Sequence, residues 1–111
     1  MAGGQQPQGI EEFRKALLKA VDDGLLVIGE SARDALLYHM ERSFGIRHQE
    51  IPERLEGFHE ALGDLLGAGA RVVETLIAKN LYDALGLNFE GHENWTIIDY
   101  VSYAANAKRG R

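Results

Sequence analysis

The sequence predicts an all-α fold, a compact bundle of about five helices with short connections. Three observations carry this. Apolar residues recur at three- and four-residue spacing in five separate segments, glycines and a proline stand between those segments, and no alternating run is long enough to build a sheet. The chain contains no internal repeat.

The first helix is expected from near Ile10, where Ile10, Phe13, Leu17, Ala20, Val21 and Leu25 fall on one face and Glu11 and Glu12 complement the dipole of the first turn. Gly24 weakens the last turn. Leu26, Val27 and Ile28 widen the apolar face, which predicts burial of this end on more than one side, and Gly29 closes the segment. The second helix has Ser31 as its expected N-cap, Asp34 three residues on and Gly45 past its end. Its inner stripe is read as Ala32, Ala35, Leu36, His39, Met40 and Phe44, with Arg33, Glu41 and Arg42 outside. Leu37 and Tyr38 exceed what one buried face needs.

After Gly45 comes a connector in which Ile46 and Ile51 act as apolar pins and Pro52 is placed in the first turn of the third helix, where its missing amide costs nothing. That helix, Glu53 to Leu66, offers Leu55, Phe58, Leu62, Leu65 and Leu66 for burial, and Gly57 and Gly63 lower its stability by about 1 kcal/mol each relative to Ala. Gly67 and Gly69 mark a turn. The fourth helix, Ala70 to Leu85, turns Val72, Val73, Leu76, Ile77, Leu81 and Leu85 inward and stops at Gly86. Leu87 to Trp95 is an irregular crossing with room for a short extended piece, and Thr96 with Asp99 caps a last helix carrying Ile97, Ile98, Tyr100, Val101, Ala104 and Ala105. Residues 1–9 read as a flexible leader, 10–107 as a single helical domain and 108–111 as a basic tail.

Composition narrows the function classes. With 45% hydrophobic and 26% charged residues the chain has the make-up of an ordinary globular domain. It has no cysteine, which removes disulfides and thiolate chemistry and fits a cytoplasmic setting. Apolar runs such as Leu25 to Ile28 are far too short for a bilayer, and the first residues lack a signal-like pattern, so no membrane partner is expected. A net charge of -5 repels phosphates, and a helix-turn-helix built on the third and fourth helices would offer DNA only Gly69, Ala70, Arg71, Glu74, Thr75 and Ala78, so nucleic acid is disfavoured.

The candidate constellations are thin. His39, His48, His59 and His92 lack carboxylates at the three- or four-residue spacing that shares a helical face, so no metal ligands are assigned, and His39 is read as a core histidine. Ser31 lacks the nucleophile elbow of a hydrolase, and Gly67 with Gly69 lacks a dinucleotide or Walker fingerprint. No catalytic residue and no cofactor follow. Tyr38 and Tyr100 are read as core, whereas Trp95 and Tyr103 are read as exposed contact residues.

The blocks Gly29 to Ser31, Tyr38 to Glu41, Phe44 to Ile46, Ile51 to Glu53 and the Gly69–Ala70 turn resemble those of a small, mostly archaeal family, the Nitrosopumilus output domains. The resemblance covers about residues 15 to 103. It implies an all-helical domain found alone or in signalling-type architectures, with no catalytic residues to carry over. The expected function is a non-enzymatic interaction or signalling-output module that binds a protein partner or itself as a homodimer. Its interface or ligand candidates are Leu37, Tyr38, His39, Trp95, Ile98 and Tyr103. The alternatives are a small-ligand binder or enzyme with a pocket between helices built around Tyr38, His39 and Glu41, and a helix-turn-helix DNA-binding protein.

Overall fold

A computed structural model of the chain describes residues 5–109, with side chains described from Gly9 to Arg109. In order it contains α1 (Gln5–Leu26), α2 (Glu30–Phe44), a 3-10 segment (His48–Glu53), α3 (Leu55–Leu66), α4 (Gly69–Leu85) and α5 (Ile97–Arg109). The described residues form a helical bundle without strands, as the periodicity predicts. The helix count is met, with the 3-10 connector added.

The main seam lies between α1 and α4. Leu17, Ala20, Val21 and Leu25 are buried there against Ile77, Ala78 and Leu81. Asn80 donates through Nδ2 to the Ala20 carbonyl at 3.5 Å, and Gly24 lies directly on Ile77. Residue numbers thus fall along α4 as they rise along α1, so the two helices run antiparallel. Gly24 is the closest approach: a methyl added there would stand 2.6 Å from Ile77 Cγ1.

Two expectations about α1 fail. The helix begins at Gln5, inside the segment read as a leader, because Pro7 falls in the first turn where its absent amide has no helical partner to lose. Met1 to Gly4 lie outside the described residues. At the other end, Leu26, Val27 and Ile28 are exposed by 41%, 66% and 36%, not buried on several sides. The helix stops at Leu26, and Val27, Ile28 and Gly29 donate back to the carbonyls of Gly24, Leu25 and Leu26 in a tightening last turn that swings these side chains off the core.

On α2 the buried stripe is Leu36 and Met40, with Leu37 and Phe44 half-buried beside it. At about 100° per residue, positions 33, 36, 37, 40 and 44 cluster within one arc, and His39 falls outside it. His39, Ala32, Ala35 and Tyr38 are therefore solvent-facing, which corrects the placement of His39 and Tyr38 in the core. Leu37 belongs to the single buried face and is not a surplus. Ser31 is not the cap either: Gly29, at φ 110°, occupies that position without a side-chain hydrogen bond. At the far end Gly45 adopts φ 67°, and the amides of Gly45 and Ile46 bond to Glu41 and Met40 as a glycine C-cap requires.

Ile46 and Ile51 are buried pins, as the sequence predicts. Pro52 lies inside the 3-10 segment and not in the first turn of α3. This connector is tied to α1 by Arg14 to Glu53 at 2.7 Å and by His48 to Asp22 at 2.6 Å. Gly57 on α3 permits close contact with Ile46, since an added methyl would lie 2.8 Å from Ile46 Cδ1.

Helices α3 and α4 form a hairpin through Gly67. Phe58, Ala61 and Leu62 are the buried face of α3. Helix α4 is buried along two stripes, Ala70, Val73, Ile77 and Leu81 on one and Glu74, Ala78 and Tyr82 on the other, because α1, α3 and α5 all pack on it. Val72, expected inward, is 63% exposed. The burial of Ala70, Glu74 and Ala78 also removes them from the face a recognition helix would present to DNA.

The crossing from Leu87 to Trp95 contains no strand. Tyr100 anchors it by accepting the His92 amide at 2.8 Å, and Tyr82 donates to the Tyr100 carbonyl at 2.7 Å. Thr96 caps α5 as predicted: its hydroxyl accepts the Ile98 amide at 3.2 Å, and Asp99 accepts the Thr96 amide at 2.8 Å. Lys108 and Arg109 continue α5, and residues 110–111 lie outside the described region.

The two glycine environments give opposite expectations. Gly24→Ala forces the α1–α4 seam apart and is expected to destabilise by about 1–3 kcal/mol. Gly63→Ala fills open space within α3. It is expected to stabilise by up to about 1 kcal/mol. Urea denaturation of both variants measures the contrast.

Candidate functional site

The α3–α4 hairpin and the loop into α5 enclose an open cleft of about 440 Å³. Its walls are unusually bare, because Gly63, Gly67, Ala68 and Ala70 carry little or no side chain. Into this space the helices place His59 from α3, Arg71 and Glu74 from α4, and Asn94, Trp95 and Thr96 from the loop.

Among the described residues, Glu74 is the only buried one that carries a charge. A buried carboxylate must be answered by donors, and both oxygens are. Oε1 accepts the Ile97 amide at 3.0 Å, an orphan of the first turn of α5. Oε2 lies 2.5 Å from His59 Nδ1. An ionised carboxylate only accepts, so Nδ1 carries the proton and donates. The ring is thereby oriented, and its Nε2 has no hydrogen-bond partner among the described residues.

Arg71 stands at the rim and donates to the Glu93 carbonyl. Trp95 is half-buried and stacked on His92, with ring centroids 3.9 Å apart, and meets the Tyr100 ring edge-on at 5.0 Å. Tyr100 in turn belongs to an aromatic group with Tyr82, Phe89 and Tyr103. Burial, followed by the neighbouring Tyr103 and Tyr100, pushes the Tyr82 phenol up to about 12, so its hydroxyl remains a donor to Tyr100.

Sequence candidates are divided by this geometry. Trp95 lies in the cleft, and Tyr103, 55% exposed, is 5.9 Å from it by ring centroid. Leu37 and Ile98 are half-buried against the core. Tyr38 and His39 sit on the outer face of α2, ring to ring at 5.9 Å, with Arg42 over Tyr38. Since α2 packs on α1 and α3 whereas α5 packs on α3 and α4, the six do not form one site.

Sequence spacing misses the His59–Glu74 pair because the two residues are 15 positions apart on different helices. The one available signal was Glu74 lying four residues from both Ala70 and Ala78, a carboxylate on a face of small residues. Among the described residues no group of three or more metal-binding side chains is assembled, and no helix is long and apolar enough to cross a membrane.

No family model, curated protein or solved structure matches the chain significantly.

Two substitutions separate the roles of Glu74. Glu74→Ala strands the Ile97 amide and the His59 ring and is expected to cost about 2–3 kcal/mol in denaturant unfolding. Glu74→Gln keeps an acceptor for Ile97 and presents an amide donor to Nδ1. The neutral His59 should then carry its proton on Nε2, which long-range proton–nitrogen NMR reads directly.

Proposed function

We propose that the protein is a non-enzymatic ligand-binding module whose site is the α3–α4–α5 cleft. The observation that carries this reading is the orientation of His59 by a buried carboxylate toward an open cleft whose walls are otherwise small. Binding sites are concave, mostly apolar and furnished with a few fixed polar groups, and a cleft of about 440 Å³ with His59, Arg71 and Trp95 has that make-up. Recognition is favoured over nucleophilic catalysis because the one hydroxyl on the wall, that of Thr96, is engaged in capping α5. The ligand site thus moves from Tyr38, His39 and Glu41 on the outer face of α2 to His59 on the inner side of α3. A signalling-output role, implied by the resemblance to the Nitrosopumilus output domains, accords with such a module.

Trp95 is the chain's single tryptophan and lines the cleft, so its fluorescence reports occupancy. Small aromatic fragments are expected to change Trp95 emission saturably, and His59→Ala to abolish the response while the domain stays folded by circular dichroism. A response untouched by this substitution would sink the reading.

A second reading has its own observation. Leu26, Val27 and Ile28 are exposed, and the antiparallel register brings this end of α1 alongside the first turns of α4, where Val72 is also exposed. Exposed apolar side chains at one end of the bundle favour association, here of two copies of the chain. Light scattering is expected to show a concentration-dependent dimer that Val27→Glu dissociates. A strict monomer throughout would exclude it.

A further inference from the structure

The exposed donors of the cleft indicate what its ligand must carry. Glu74 brings a negative charge to the floor, but the His59 imidazole and the Ile97 amide already answer both its oxygens. Arg71 is the only lysine or arginine among the lining residues. Its hydrogen bond goes to the uncharged Glu93 carbonyl, and no carboxylate forms a salt bridge with it among the described residues. The formal charges of Glu74 and Arg71 cancel, but the carboxylate is buried beneath its two donors and the guanidinium is exposed, so the charge that a ligand meets first is the cation, although the chain as a whole carries -5.

The donors agree with that sign. A guanidinium has five N–H groups in a flat fork, and one bond to a carbonyl leaves donors for a planar oxyanion. With Nδ1 committed to Glu74, Nε2 is the free atom of the His59 ring, and it donates to an oxyanion by taking up one proton as the anion binds. Beside it, Glu74 and Arg71 are the only acidic or basic side chains lining the cleft. The first turn of α4, which no side chain caps and which contains no acidic residue, adds a field of the same sign. Besides the polar groups, the wall offers the indole of Trp95, stacked on His92, and the bare surfaces of Gly63, Gly67, Ala68 and Ala70.

We infer that the cleft binds a small organic oxyanion, a carboxylate or phosphate, with its head on Arg71 and His59 and a short flat body against Trp95. This rests on the cleft being the ligand site, and it adds the chemical class of the ligand.

The test uses the full chain and three probes of similar size: benzoate, phenyl phosphate and the uncharged benzamide. Each is titrated while Trp95 emission and backbone amide shifts are followed. Benzoate, phenyl phosphate or both are expected to bind at least about tenfold more tightly than benzamide, and the stronger of the two tells carboxylate from phosphate. Arg71→Gln should weaken the oxyanions by about tenfold and leave benzamide unchanged, and Arg71→Lys, which keeps the charge without the fork, should fall between. Arg71 makes one side-chain hydrogen bond among the described residues, to an exposed loop, so unchanged thermal unfolding is expected for either variant.

Equal affinity for all three probes, or oxyanion affinity indifferent to Arg71→Gln, overturns the inference while leaving the cleft as a ligand site. Absence of any shift at Gly63, Gly67 to Arg71 or Trp95 with all three probes overturns both.

Discussion

Glu74 stands where three helices converge, and an ionised carboxylate in that position has to be met by a donor from each neighbour. α3 supplies the imidazole of His59, and α5 supplies the first-turn amide of Ile97. The same requirement that fixes the relative placement of α3, α4 and α5 therefore also aims His59. Structural and recognition roles are not alternatives for this residue: without the carboxylate, α5 loses a cap and the ring loses its orientation. Around that point, Gly63, Gly67, Ala68 and Ala70 carry little or no side chain and leave the cleft unfilled.

Most of the fold was legible in the sequence because it depends on local signals. The three-and-four spacing marks each helix, Gly45 and Gly86 stop α2 and α4 in the left-handed conformation, and Thr96 with Asp99 starts α5. What misled was the choice of face. Ala32, Ala35 and His39 satisfy a helical stripe as well as Arg33, Leu37 and Phe44 do, and periodicity alone does not decide between overlapping arcs. Leu26, Val27, Ile28 and Val72 failed for a related reason, since apolar character permits burial without compelling it.

The candidate site was far less legible. A pair such as His59 and Glu74 exists only through tertiary contact between two helices, so neither residue carries a mark in its own neighbourhood. Trp95 stands out because a tryptophan in an irregular crossing has no regular stripe to join, but from the sequence it reads as exposed and it is half-buried. Arg71 reads in the sequence only as one of the outward residues a recognition helix would offer to DNA. Its meaning depends on which charges around it are already spoken for, a matter of geometry and not of composition.

The α1–α4 seam joins residues as far apart as Ala20 and Asn80, 60 positions along the chain. For an all-helical protein this is a distinctly non-local closure. On the ribosome, α1 emerges long before its partner, and its row of Leu17, Val21 and Leu25 stays uncovered until α4 has been made. The α3–α4 hairpin, by contrast, closes through a short turn and can form as soon as its residues exist. α1 thus completes its burial only against a helix synthesised after it.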